Sequence, residues 1–254
     1  MPLVQRKFDV RRDVHDVRDR MFVPRRSAPK AFPPIVDLRR WAGPIKDQGE
    51  EGACTGHAFT SAREWIARRF ENNSLVLSPQ SLYVQELLLS GDFPTDAGAA
   101  PRTACQALTS YGACELSLWP YVAGQIVRPT PEQAANAIKY KTGAYHRLAS
   151  LADFQGALSD ATPWPVTIGF TVYDSFMSEQ VATSGIMPVP QQGEKVQGGH
   201  EVLCLGYDMT RMMALCQNSW GPNWGQGGYF WMPLEVALSA DTDLWIVHTG
   251  PAWK

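Results

Sequence analysis

The sequence predicts an α+β protein of two halves, a helix-rich one followed by a strand-rich one, with a cleft where they meet. Three observations carry that prediction. Apolar residues recur at helical spacing after Cys54, and from Trp164 onward short apolar runs are separated by Gly, Pro, Asp and Asn. The 19 Pro and 21 Gly supply many rigid turns, which argues against a helical bundle, and no internal repeat points to an array. A crevice between two such halves is the usual place for a site.

Residues 1 to about 32 form an arm ending in a Pro-rich stretch, Pro24 through Pro34, that is extended and cannot continue a helix. The globular body, 33–254, begins to fold near Ile35, with a helix-rich half over about 40–120 and a strand-rich half over about 125–250. After the turn Lys46 to Gly52, residues Phe59, Ala62, Ile66 and Phe70 recur at spacings of 3, 4 and 4, one buried face of a helix starting near Cys54. Glu64, Arg68 and Glu71 fall on its other side. Ser78-Pro79 is an N-cap followed by proline at the first helical position, so a second helix runs from about Pro79 to Leu88. A third follows Pro101 as far as Tyr111-Gly112, and PEQAANAIKY and LADFQGALSD are two more. The runs WPVTIGFTV, HEVLCLGYD, MALCQNSW, GYFWM and DLWIVH are strands.

Residues 1–40 hold 11 Lys+Arg and 5 Asp+Glu, a charge of +6, so the rest of the chain carries -8 to give the total of -2. A basic arm is drawn electrostatically onto an acidic body. The arm's arginines at 11, 12, 18, 20, 25 and 26 offer a second role, holding a phosphate-type anion, although no phosphate loop accompanies them; nucleic acid is not expected as a partner. The N-terminus lacks the apolar stretch of a secretory signal, and no segment is long and apolar enough to span a bilayer. The expectation is a monomer in the cytoplasm, or one exported without a secretory signal. Cys54, Cys105, Cys114, Cys204 and Cys216 are odd in number and contain no C-x-x-C pair, which disfavours a metal site and a disulfide framework. No cofactor is expected.

Four residues carry candidate chemistry. A thiol is a strong nucleophile only as thiolate, and the field of a helix N-terminus with a nearby imidazolium favours that form; Cys54 sits where such a field acts. His200 opens one buried strand and Asn218 follows the next, 18 residues later, so antiparallel pairing can set imidazole beside carboxamide. Acyl transfer needs donors for the developing oxyanion, and the Cys54 N–H and the side chain of Gln48, six residues upstream, can provide them. Trp220 stands where its indole can shield the Asn218 to His200 bond. Taken singly, each is most often a packing or turn residue; their joint order makes the case.

The run DQGEEGACTGHAF resembles the active-site segment of the papain family of cysteine peptidases, GGHEVLCLGYD its histidine strand, and NSWGPNWGQGGYF its asparagine segment. Weaker similarity extends over roughly residues 33 to 248, most of all to a prokaryotic, xylellain-like branch in which Cys-Thr replaces Cys-Trp, and DVRDRMFVP is similar to segments preceding its catalytic domain. The resemblance implies a papain-like two-subdomain α+β fold, with a helix-rich left half, an antiparallel β-barrel-like right half and the active-site cleft between them. It implies a cysteine endopeptidase acting on polypeptide through Cys54, His200, Asn218 and Gln48, with deamidation or transpeptidation as the alternative. Substrate-binding positions implied are Gly98, Ala99, Ala100, Pro101, Gly199 and Trp220. The short arm corresponds to a pro-segment over the cleft, with self-cleavage near Arg25 to Lys30. Glu51 replaces a disulfide cysteine of many relatives, Thr55 replaces Trp, and Ala100 is smaller than the aromatic of plant relatives, which alters the second specificity pocket.

Overall fold

The computed structural model describes residues 6–23 and 32–249. Residues 24–31, which hold most of the Pro-rich stretch, Arg25, Arg26 and the segment considered for self-cleavage, lie outside the described residues.

The first half is built on α1 (Cys54–Phe70), α2 (Pro79–Ser90) and α3 (Pro101–Ser110). Phe59, Ala62 and Ile66 are fully buried, as their spacing predicts, while Phe70 lies at the rim against Trp65 and Trp164. The opposite side of α1 is enclosed too. Glu64 is buried, with Lys46 Nζ 2.5 Å from its carboxylate, the Leu77 N–H donating to it at 2.8 Å, and Arg68 4.0 Å away. The chain before and after α1 folds over this face, and a carboxylate survives there because it is paired. Truncating the fully buried Trp65 to alanine is expected to cost about 3–5 kcal/mol.

Ser78 accepts a hydrogen bond from the Ser81 N–H at the start of α2, Pro79 takes the first helical position, and Gly91 ends the helix at φ 80°, where glycine is unstrained. α3 also starts at a proline, but Ala100 before it offers no capping side chain. PEQAANAIKY forms α4 (Pro131–Ala137), opened by a Thr130–Gln133 capping box and continued by a 3-10 turn, and LADFQGALSD forms α5 (Leu151–Ser159).

The second half is one antiparallel sheet of β1 (Ile35–Asp37), β2 (Ala144–Arg147), β3 (Val166–Tyr173), β4 (Val196–Asp208), β5 (Met213–Gln217), β6 (Tyr229–Pro233) and β7 (Asp243–His248). Its order is β2-β7-β3-β4-β5-β6, with β1 added to the far end of β4. The five expected runs are all strands, but the sheet is not closed into a barrel. Irregular segments cover its two edges instead: Ile186 bridges Trp231 of β6, and Met21 of the arm bridges Arg147 of β2. A bulge at Cys204–Gly206 bends β4, and β1 can approach there only because residue 206 is glycine; a Cβ would lie 2.0 Å from the Val36 carbonyl oxygen. One core joins α1 and α3 to the sheet through Phe59, Trp65, Leu108, Ile168, Leu203 and Trp245, and Phe22 of the arm is buried in it. The last described part of the arm is thus packed as body.

Candidate active site

Cys54 is the first residue of α1, and Ala53 before it makes no side-chain cap, so the first N–H groups of the helix stay open beside the sulfur. Burial pushes the thiol far up; the backbone N–H of Glu201 hydrogen-bonds to the sulfur and opposes this, while the carboxylates of Glu201 and Glu86 reinforce it. The sulfur therefore rests against β4, one residue beyond His200.

Pairing of β4 with β5, Leu203 opposite Gln217, brings His200 and Asn218 together. His200 Nε2 donates to Asn218 Oδ1 at 2.8 Å, and the same oxygen accepts the Ser219 N–H at 2.8 Å. Because a backbone N–H needs an acceptor, the second bond fixes which end of the carboxamide faces the ring, and the ring keeps its hydrogen on Nε2. Nδ1 is left without a hydrogen-bond partner among the described residues, so no hydrogen bond joins imidazole to thiol in this state. Trp220 stacks on the ring with centroids 5.0 Å apart, and Phe170 meets it edge-on at 5.9 Å. Burial lowers the pKa of His200 to about 4, against the pull of its bond to Asn218, and Arg6 of the arm adds to the lowering.

Gln48 is tied into the same constellation. Its N–H donates to the Ser219 carbonyl at 2.9 Å, its Oε1 accepts from Ser219 Oγ at 2.6 Å, and its Nε2 donates to the Glu51 carbonyl at 2.9 Å. The second hydrogen of Nε2 is available for an oxyanion. Ser219 thus links Gln48 to Asn218, so the donor and the imidazole are positioned by one segment. Among the described residues, no group of three or more His, Cys, Asp or Glu side chains is arranged to hold a metal ion.

Residues 32–242 match the model of the papain family cysteine proteases. The chain belongs to the papain family. It is similar to xylellain, a cysteine protease from Xylella fastidiosa, with 29% identity and a TM-score of 0.88 over 97% of this chain and 98% of that one. An uncharacterised peptidase C1-like protein of Acanthamoeba polyphaga mimivirus is 30% identical over 87% of this chain and 76% of its own length. Chymopapain of Carica papaya is 29% identical over 83% of this chain, which spans 58% of it. As a papain-family member the chain is a cysteine-type endopeptidase.

The expected substrate-binding residues line a cleft that the arm fills. Gly199 donates its N–H to the Phe8 carbonyl at 2.9 Å and accepts the Val10 N–H at 3.2 Å, while Ala99 on the opposite bank accepts the Arg11 N–H at 3.1 Å. Gly98, at φ +66°, leaves no room for a Cβ, which would lie 2.0 Å from the Asp9 carbonyl oxygen. Ala100 and Pro101 form the entry to α3, and Phe8 meets both Trp220 and His200 edge-on, at 6.0 and 6.2 Å. Ion pairs flank this path: Arg6 with Asp47 at 2.5 Å, Lys7 with Asp96 at 2.5 Å and Arg11 with Asp92 at 2.7 Å. The missing cap of α3 also comes from the arm, since Asp13 accepts the Arg102 N–H at 3.1 Å and the Trp245 indole N–H at 2.9 Å. Arg11, Arg12 and Arg18, offered above as anion ligands, are paired with Asp92, Asp241 and Asp16.

Three buried acids escaped the sequence expectation. Glu86 is fully buried and accepts from Thr55 Oγ1 at 2.5 Å, the residue standing where relatives have Trp; burial raises its pKa to about 8. Glu201 and the arm's Asp13 are also buried. The signal was there for two of them: a charged residue inside an otherwise apolar run, HEVLCLG and LYVQELLL.

Proposed function

We propose that Cys54, His200, Asn218 and Gln48 perform the peptide hydrolysis and that residues 6–13 hold the enzyme latent. The supporting observation is the Nε2 to Asn218 bond, which leaves the Nδ1 lone pair of His200 as the base available to the thiol. With the arm displaced, the Cys54 proton passes to Nδ1 and the thiolate adds to the substrate carbonyl carbon. The oxygen that becomes negative is held by the Cys54 N–H and Gln48 Nε2–H. The C–N bond then breaks as Nδ1–H protonates the leaving amine, giving a thioester. Water, deprotonated by Nδ1, attacks that thioester, and release of the acid restores the thiol.

Latency follows from occupancy and from electrostatics together. The arm uses the Gly199 and Ala99 hydrogen-bonding groups that an extended substrate needs, and it keeps His200 buried and neutral. The test is labelling of Cys54 by a thiol-directed epoxide, with hydrolysis of a fluorogenic peptide, in the full chain and in a chain lacking residues 1–14, which keeps Phe22 in the core. Both signals are expected to rise on truncation. Equal rates in the two proteins would remove the latency reading, and no labelling or hydrolysis in either would remove the catalytic one.

A further inference from the structure

Between α1 and the end of β5, beside the catalytic Asn218, lies a cavity with about 10 Å³ open to the centre of a water molecule. That is the room one water needs and little more. His57 and Ser61 of α1, Glu201 of β4, and Gln217 with Asn218 line it, and all five are buried. No described residue of the arm contributes to its wall, so it is separate from the groove that the arm fills.

Three polar atoms of these residues have no hydrogen-bond partner among the described residues: His57 Nε2, Asn218 Nδ2 and Gln217 Oε1. The bonds made elsewhere on the same side chains fix what two of them can do. His57 Nδ1 lies 2.9 Å from the Ala53 carbonyl oxygen, which can only accept, so the ring hydrogen is on Nδ1 and Nε2 keeps a lone pair. Burial lowers the pKa of this ring to about 3, which keeps it neutral. Asn218 is oriented by His200 Nε2–H and the Ser219 N–H, which share its Oδ1, so its Nδ2 carries two hydrogens and no acceptor. The wall thus offers two acceptors and one donor group. A cation would meet the Asn218 N–H groups and an anion the two acceptors, whereas water donates two hydrogen bonds and accepts others. Lys46, which also lines the cavity, bonds through Nζ to Thr60 Oγ1 at 3.1 Å and to Glu64 at 2.5 Å. Each buried group left bare costs about 1–3 kcal/mol, so a molecule that satisfies all three is held firmly.

We propose that this cavity is a one-water site and that His57, through the water, is a positioning residue for Asn218. The positioning role rests on the cysteine-protease reading; the water site does not. The water accepts from Asn218 Nδ2 and donates to His57 Nε2 and Gln217 Oε1. It holds the carboxamide by its nitrogen end, so Oδ1 stays aimed at Nε2–H of the catalytic ring. His57 stands three residues after Cys54 on α1, and the same link ties the helix that carries the nucleophile to the segment that orients its base.

The first measurement is a crystal structure of the full chain at a resolution that shows ordered water. One water is expected within hydrogen-bond distance of all three atoms; an empty cavity, or a direct bond between His57 and Asn218, overturns the proposal. The second compares the full chain with His57→Phe, which keeps a ring edge-on to Tyr121 but offers no lone pair, and with His57→Gln, whose side-chain oxygen can accept from the water. In each, the Ala53 carbonyl still has the residue 57 N–H, 3.1 Å away. With Cys54 counted by epoxide titration, His57→Phe should lower kcat about 3- to 10-fold at unchanged KM, the effect of one weakened hydrogen bond, and His57→Gln should recover most of the loss. Gln217→Met, which removes the other acceptor without touching α1, should act in the same direction as His57→Phe. Unchanged kcat in either folded variant, a loss in KM alone, or an equal loss in His57→Gln and His57→Phe overturns the positioning role. Absence of epoxide labelling and of hydrolysis in every protein would overturn the protease reading, while the density in the cavity still decides the water site.

Discussion

Replacing Phe8 with alanine in the full chain is the sharpest perturbation of the latent state, because Phe8 touches the catalytic imidazole but belongs to the arm. Its half-buried ring meets His200 and Trp220 edge-on, at 6.2 and 6.0 Å. Each such aromatic pair contributes about 0.5–1.5 kcal/mol. Partial burial of the ring adds about 1 kcal/mol, half or less of the value for full burial. The sum is ~2–4 kcal/mol of stabilisation present only while the arm is closed, which corresponds to a ~30- to ~700-fold shift towards the open state. Fluorogenic peptide hydrolysis, normalised to epoxide-titratable Cys54, should rise by that factor until it reaches the rate of the chain lacking residues 1–14. Phe8 packs against the core cluster only from its half-buried rim, so the melting temperature should stay within a few degrees of the parent. An unchanged rate in Phe8→Ala, beside a truncated chain that is clearly faster, would refute the idea that these ring contacts hold the arm closed.

Three further outcomes follow from the same geometry. Gln48→Ala should lower kcat by about 10²–10³-fold while epoxide labelling of Cys54 persists, measured by steady-state kinetics on the truncated chain. Glu86 has its folded pKa raised from 4.5 to about 8, so the folded state holds its proton more tightly and stability falls as pH rises between those values; Glu86→Gln should therefore gain up to ~4 kcal/mol at pH above about 8 and nothing near pH 4, read by thermal melts. Asp13 of the arm is raised to about 6 from its usual 3.8, chiefly by burial, so acid favours the closed arm between those values. Amide exchange at Val10 and Arg11 should therefore slow as pH falls from about 6 to about 4, and Asp13→Asn should remove that dependence.

Much of this site could be read from the chain alone because its signals are local. Helix starts are written in short motifs, Ser78-Pro79 and Thr130-Pro131, and strands in apolar runs bounded by turn residues, so each element depends on interactions within a few residues. The four candidate catalytic residues announce themselves through their flanks, which hold the same turns and strand ends that position them. Glu64 and Glu201 are different. The apolar run around Glu201 hints at its burial and nothing adjacent to Glu64 does, and what encloses them is supplied from elsewhere, Lys46 and the Leu77 N–H for Glu64 and the start of α3 for Glu201.

The sequence by itself determined α1 to α5, the strands β3 to β7, the order Gln48, Cys54, His200, Asn218, and a basic arm opposed to an acidic body. Only the tertiary structure decided that the sheet stays open, that Phe22 joins the core, that Phe8 to Arg11 run between Gly199 and Ala99, and that Glu201 is buried beside the thiol. The physical reason is range. Capping and periodicity act over one or two helical turns, whereas burial and charge pairing depend on which distant segments come to share a surface, and that is fixed only when the whole chain has packed.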